Sequence, residues 1–135
     1  MKRWLVLGWI LWAPGLLIAQ KTIEVTNITI NQMENDLLSV SVEIRNRTGK
    51  SVSEIEGVLD FYDNFNRVIL RRPIQIVHVY DVPFAAGESR RREVVVSRLP
   101  NMAGTVRYRI TGLRLFGEQE IYLVCPNCGE LILKE

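Results

Sequence analysis

This chain has few of the residues that most enzyme chemistry depends on. It carries one histidine, His78, and two cysteines, Cys125 and Cys128, in 135 residues. Two cysteines are too few for a disulfide-stapled scaffold. No serine or cysteine near His78 in sequence has the context of an activated nucleophile, so the imidazole reads as a half-buried structural group on a strand. An excess of charge is also missing. Lys2 and Arg3 account for the whole surplus of 17 basic over 15 acidic residues, so the chain beyond them is neutral. A neutral domain exerts no global pull on nucleic acid, which is therefore not an expected partner. The chain after residue 19 has no tryptophan, no internal repeat, no low-complexity linker and no segment of helical periodicity.

What the sequence does contain begins with an export signal. Lys2 and Arg3 precede an almost unbroken apolar run over residues 4–18, and Leu17-Ile18-Ala19 ends in a small residue suited to signal-peptidase cleavage. The run is shorter than the roughly 20 residues of a membrane span and is broken by Pro14 and Gly15. Residues 1–19 therefore read as a signal-peptide helix. If it stayed uncleaved, the basic end would remain inside and the rest would still lie outside, with this segment as the only membrane contact. The expected location is extracytoplasmic, periplasmic or secreted. The three tryptophans, Trp4, Trp9 and Trp12, would leave with the signal.

From residue 20 onward the apolar residues alternate with period two, the mark of half-buried strands. Leu38, Val40, Val42 and Ile44 interleave with Ser39, Ser41, Glu43 and Arg45. An opening strand is expected over residues 22–30, a central one around Ile55 to Phe61, and a hairpin return over 67–70. Pro73 lacks a ladder donor and marks a sheet edge or crossover. Further strands follow at 74–80, 93–96, around Val106 to Ile110, and at 121–124. Short strands separated by turns predict an all-β fold, an antiparallel two-sheet immunoglobulin-like sandwich of about seven or eight strands. Its core would take Val40, Val42, Ile44, Leu59, Phe61, Val95, Tyr108 and Ile110. Tyr108 suits either the corner near Leu99-Pro100 or a plain core position. Three segments result: the signal at 1–19, the sandwich at 20–117, and a C-terminal strand with a cysteine tail at 118–135.

Val58-Leu59-Asp60-Phe61-Tyr62-Asp63, preceded by Ile44-Arg45-Asn46 and followed by Arg67-Val68-Ile69 and Ala86-Gly87-Glu88, resembles the FxLYD-type family of small bacterial extracytoplasmic sandwich domains. Leu59 stands at the motif's Phe and Phe61 at its Leu. The similarity covers residues 37–110. It implies a sandwich used as an accessory module, without assigned catalysis.

Cys125-Pro126-Asn127-Cys128-Gly129 is the motif with the most chemical content. It resembles a zinc knuckle, since two thiolates at this spacing can grip one ion. Structural zinc takes four ligands, so the pair needs a second copy, and a symmetric homodimer sharing zinc would supply it. Outside the cytoplasm a Cys125–Cys128 disulfide competes with that reading. Thioredoxin-like exchange fits less well, because that motif sits at a helix N-terminus. Gly49-Lys50-Ser51 is not a phosphate loop: Ile44 occupies the position where that pattern wants glycine. Asn27-Ile28-Thr29 and Asn46-Arg47-Thr48 match the glycosylation acceptor pattern. The basic run Arg90, Arg91 and Arg92 could recognise phosphate or carboxylate groups, or could simply guard a strand edge. Arg107 and Arg109 should line the wet face of their strand, with Arg114 extending the stripe.

The expected function is a non-enzymatic exported module of the cell envelope that binds or assembles with an extracytoplasmic protein or envelope component. Arg90, Arg91, Arg92, Arg107 and Arg109 are its candidate contacts, and it needs no cofactor. The alternative is a metal-binding or thiol-redox protein acting through Cys125 and Cys128.

Overall fold

The structure is a computed structural model that describes residues 22–125 and 130–134. The expected signal at 1–19 lies outside the described residues. Eight strands follow in order: β1 (Ile23–Gln32), β2 (Leu37–Asn46), β3 (Val52–Asp63), β4 (Val68–Val77), β5 (Ser89–Ser97), β6 (Met102–Leu115), β7 (Tyr122–Val124) and β8 (Leu131–Leu133). They form two antiparallel sheets, β1-β2-β5 and β4-β3-β6-β7-β8. This partition is the immunoglobulin-like order, with the second, third and sixth strands central. Among the described residues no helix is long and apolar enough to cross a membrane.

Alternation places the core. On β2, Val40, Val42 and Ile44 are fully buried, and they meet Ile55, Leu59 and Phe61 of β3 in one apolar cluster between the sheets. Each such side chain contributes about 1.5–3 kcal/mol by leaving water. Turn chemistry closes the hairpins. Asn35 and Asp36 both take positive φ between β1 and β2. After β3, Asp63 Oδ1 accepts from the Phe65 and Arg67 amides at 2.8 and 2.9 Å, while Asn66 takes φ 59°. Asn and Asp tolerate these left-handed positions better than other side chains.

Three expectations about the strands are corrected. Pro73 does not divide the chain into two strands; β4 runs through it, with Pro73 opposite Val58. The edge position expected of Pro73 is the one found, since β4 is the outermost strand of its sheet and the missing donor costs no bond to a further neighbour. The strand ends at Val77, which places His78 in the following turn, where its ring stacks on Tyr80 at 4.9 Å. Val95 is 45% exposed, and Val94 and Val96 face the core instead. Three consecutive valines offer no alternation from which to choose a face, and a slip of one residue inverts every side chain.

The C-terminal segment continues the larger sheet. Leu113 pairs with Tyr122, and β7 and β8 form a hairpin with Leu123 opposite Ile132. Tyr108 on β6 lies across Gly57 of central β3, and its hydroxyl donates to the Ile74 carbonyl of β4 at 3.1 Å. The corner role at Leu99-Pro100 is therefore not the one this hydroxyl plays; it ties three neighbouring strands together. Burial, and secondarily the Glu56 carboxylate, pushes the phenol well above its ordinary range.

Candidate functional site

The outer face of the larger sheet carries the densest charged group that register brings together. Asp60 on β3 lies between Arg71 of β4 and Arg107 of β6 in one cross-strand row. Its carboxylate is 2% exposed. Arg109, one pleat along β6 from Arg107, donates to Asp60 through Nε and Nη2 at 2.5 and 3.4 Å. Arg71 Nε approaches Oδ1, the oxygen that Arg109 Nη2 also reaches, at 3.5 Å. A buried carboxylate is tolerable only when paired and hydrogen-bonded, and both guanidiniums supply that pairing. In return Asp60 holds the Arg109 guanidinium even more firmly in its charged form, by hydrogen bond and by direct attraction.

Arg107 places its guanidinium over the Tyr62 ring, 5.5 Å from the centroid. Two guanidiniums thus pair with one carboxylate, and a third, Arg107, stands across from it in register with its charge over an aromatic face. The side chains of Arg71 and Arg109 are 67% and 50% exposed, so their remaining donors face solvent. Chemically, the row is a rigid platform for an oxyanion: planar forks on sheet strands, with one arginine braced on an aromatic face. Farther along the same face, Arg114 pairs with Glu54 at 3.7 Å and Gln75 donates to Glu54 at 3.0 Å, so Arg114 does not add an open donor to the stripe. Burial, then the neighbouring Glu56, raises the Glu54 carboxyl.

Arg90, Arg91 and Arg92 do not form one surface, because consecutive strand residues point to opposite faces. Arg91 faces outward and pairs with Glu43 at 3.5 Å. Arg90 and Arg92 turn toward the other sheet. Arg90 donates to the Pro83 carbonyl at 3.0 Å, pairs with Glu88 and lies 5.2 Å from the Phe84 centroid. Arg92 donates to the Ile76 carbonyl at 3.1 Å and to Asp81 at 3.2 Å. These two clip the β4–β5 connection to β5. Asp81 and Glu88 also accept backbone amides, from His78 at 2.9 Å and Ala85 at 2.8 Å, and those bonds hold both carboxyls below their usual range.

Cys125 follows β7, and its amide donates to the Glu130 carbonyl at 2.9 Å. Cys128 lies outside the described residues. Among the described residues no three His, Cys, Asp or Glu side chains converge as a metal site.

The two glycosylation patterns differ in access. Asn46 is fully buried: its Nδ2 donates to the Lys50 and Phe84 carbonyls at 2.7 and 2.9 Å, and its Oδ1 accepts from the Thr48 amide at 2.9 Å. That amide is closed to modification in the folded chain. Asn27 is exposed and bonds only Thr29.

Sequence reasoning found Arg107 and Arg109 but missed Arg71 and Asp60. The signal available was Asp60, an acid at an outward position between the core residues Leu59 and Phe61, on a strand that carries Glu54 and Glu56 on that same side.

Neither a family model nor a curated protein matches the chain. Among solved structures, IrmA from Escherichia coli is similar in outline, with 9% identity, 84% of this chain and 82% of that chain covered, and a TM-score of 0.47.

Proposed function

We propose that the chain is a non-enzymatic, exported β-sandwich module of the cell envelope. It binds phosphate or carboxylate groups of an extracytoplasmic partner through Arg71, Arg107 and Arg109. The observation that carries this reading is the row itself: three arginines on one sheet face, two of them held by a buried carboxylate and the third braced on Tyr62. Such an arrangement supplies orientation and positive charge to a bound oxyanion. The apolar run before residue 20 supports the export assignment, and the resemblance of residues 58–63 to FxLYD-type domains supports an accessory role.

The test compares wild type with an Arg71→Ala/Arg107→Ala variant, which leaves Arg109 on Asp60. Binding to inorganic polyphosphate and to phosphatidylglycerol vesicles is measured at low and at physiological salt. Wild type should bind at least one of the two, and the variant about tenfold more weakly, the loss of two charge-assisted contacts at an exposed site. Failure of wild type to bind either, or equal binding by the variant, removes the proposal.

A further inference from the structure

Four strand edges bound the two sheets, and three are guarded. β4 presents Arg71, Arg72 and Pro73, β5 presents Arg90, Arg91 and Arg92, and β1 is broken by a register shift between Val25 and Asn27. Charge, proline and bulges are the usual means by which a sheet refuses a further strand. β8, the last strand of the larger sheet, has none of these three and is guarded only by its shortness: it reads Leu131-Ile132-Leu133, with Ile132 and Leu133 each 52% exposed. The residues that flank it are Glu130 and Lys134, both exposed, and neither has an ion-pair partner among the described residues.

We propose that β8 is a homodimer interface at which two copies pair antiparallel about Ile132, joining the two larger sheets edge to edge. The sequence Glu130-Leu131-Ile132-Leu133-Lys134 complements itself in that register. Ile132 meets Ile132 of the second copy, Leu131 meets Leu133, and Glu130 meets Lys134 twice, once on each side of the two-fold axis. Any other antiparallel register loses at least one of these charge pairs, and parallel pairing sets Glu130 beside Glu130.

The backbone agrees with the side chains. The Glu130 carbonyl accepts from the Cys125 amide and the Lys134 amide donates to the Ile121 carbonyl, both at 2.9 Å. The backbone groups of residues 130 and 134 therefore point toward β7. In an antiparallel ladder the alternate residues point the other way, so Leu131 and Leu133 present their amides and carbonyls to the open edge. Pairing about Ile132 places Leu131 opposite Leu133 as a hydrogen-bonded pair on each side of the axis. On the outer face, Leu123, which is 37% exposed, and Ile132 of each copy would make one apolar row across the axis. An isologous contact of this kind closes after two copies and does not propagate. This interface involves neither the arginine row nor a shared metal.

The charge pairs allow a direct test. Sedimentation of the exported protein over a range of concentrations, with a non-reducing gel alongside, should show a non-covalent dimer. Glu130→Lys and Lys134→Glu each put like charges opposite each other twice, and each alone should weaken the dimer by about tenfold or more. Mixed one to one, the two variants restore both attractions and should form a heterodimer with near wild-type affinity, an outcome that misfolding would not produce. Leu133→Pro removes an outward amide and should also give monomer. A wild-type monomer at about 100 μM, a dimer held by an intermolecular disulfide, or a dimer indifferent to Glu130→Lys overturns the proposal.

Discussion

Gly57→Ala is the smallest substitution that should disrupt this domain. A Cβ at position 57 would overlap Cζ and Oη of Tyr108 and lie 2.6 Å from Cε2, where carbon atoms at ease sit about 3.5–4.0 Å apart. The ring has little room to retreat, because its hydroxyl is tied to the Ile74 carbonyl at 3.1 Å and β3 is the central strand beneath it. Overpacking of this sort costs about 1–3 kcal/mol. Displacing the hydroxyl leaves a buried donor and acceptor without each other, a further cost of about 1–3 kcal/mol. Against both stands the gain from replacing glycine in a strand, about 0.5–1 kcal/mol. The net expectation is a loss of about 1–5 kcal/mol, or a fall in Tm of about 4–20 °C for a domain of this size. Thermal unfolding followed by circular dichroism reads it. Tyr108→Leu removes the obstacle, so the Gly57→Ala/Tyr108→Leu double variant should be more stable than the sum of the single losses by about 1 kcal/mol or more. A Gly57→Ala protein that melts within about 2 °C of wild type, or strictly additive losses, would refute the packing argument.

Asn46→Ala should cost about 2–4 kcal/mol in urea unfolding, since it strips bonds from buried backbone groups at Lys50, Phe84 and Thr48; a loss under about 1 kcal/mol would show that water replaces the amide. Asp63, Asp81 and Glu88 all have folded-state pKa values held down by backbone amides that donate to them. Their contribution is therefore present above the ordinary carboxylate pKa of about 4 and is lost as pH falls through the lower folded-state values. The melting temperature should drop steeply below about pH 4, and Asp63→Ala should flatten that drop; a parallel acid profile in the variant would remove Asp63 from the account.

Much of the fold could be read from period-two alternation, because β2 sets Val40, Val42 and Ile44 inward against Ser41, Glu43 and Arg45. The exceptions are instructive. Val94 to Val96 offer no contrast between faces, so the pattern does not tell which of them points out, and it is Val95 that does. Proline at position 73 looked like punctuation because its effect depends on whether the strand has a neighbour, which is a property of the sheet and not of the segment. The arginine row was half legible. Arg107 and Arg109 share a face by spacing alone, but Asp60 lies 49 residues from Arg109 and meets it only through the β3–β6 register. Conversely, Arg90 to Arg92 look like a patch on paper, yet alternation sends their charges to opposite sides.

The Tyr108 tie also bears on motion. Outer strands of a sheet ordinarily lose amide protection first. In β4, however, the Ile74 carbonyl is held by Tyr108 and the Ile76 carbonyl by Arg92, and Ile74, Ile76 and Val77 are buried, while Val68, Arg71, Arg72 and Pro73 are exposed. One strand should thus keep two clocks. Its first half exchanges with solvent by local fraying, and its second half only when the sandwich itself opens, so the hairpin tip around Phe65 can breathe while the strand that carries it stays closed at its far end.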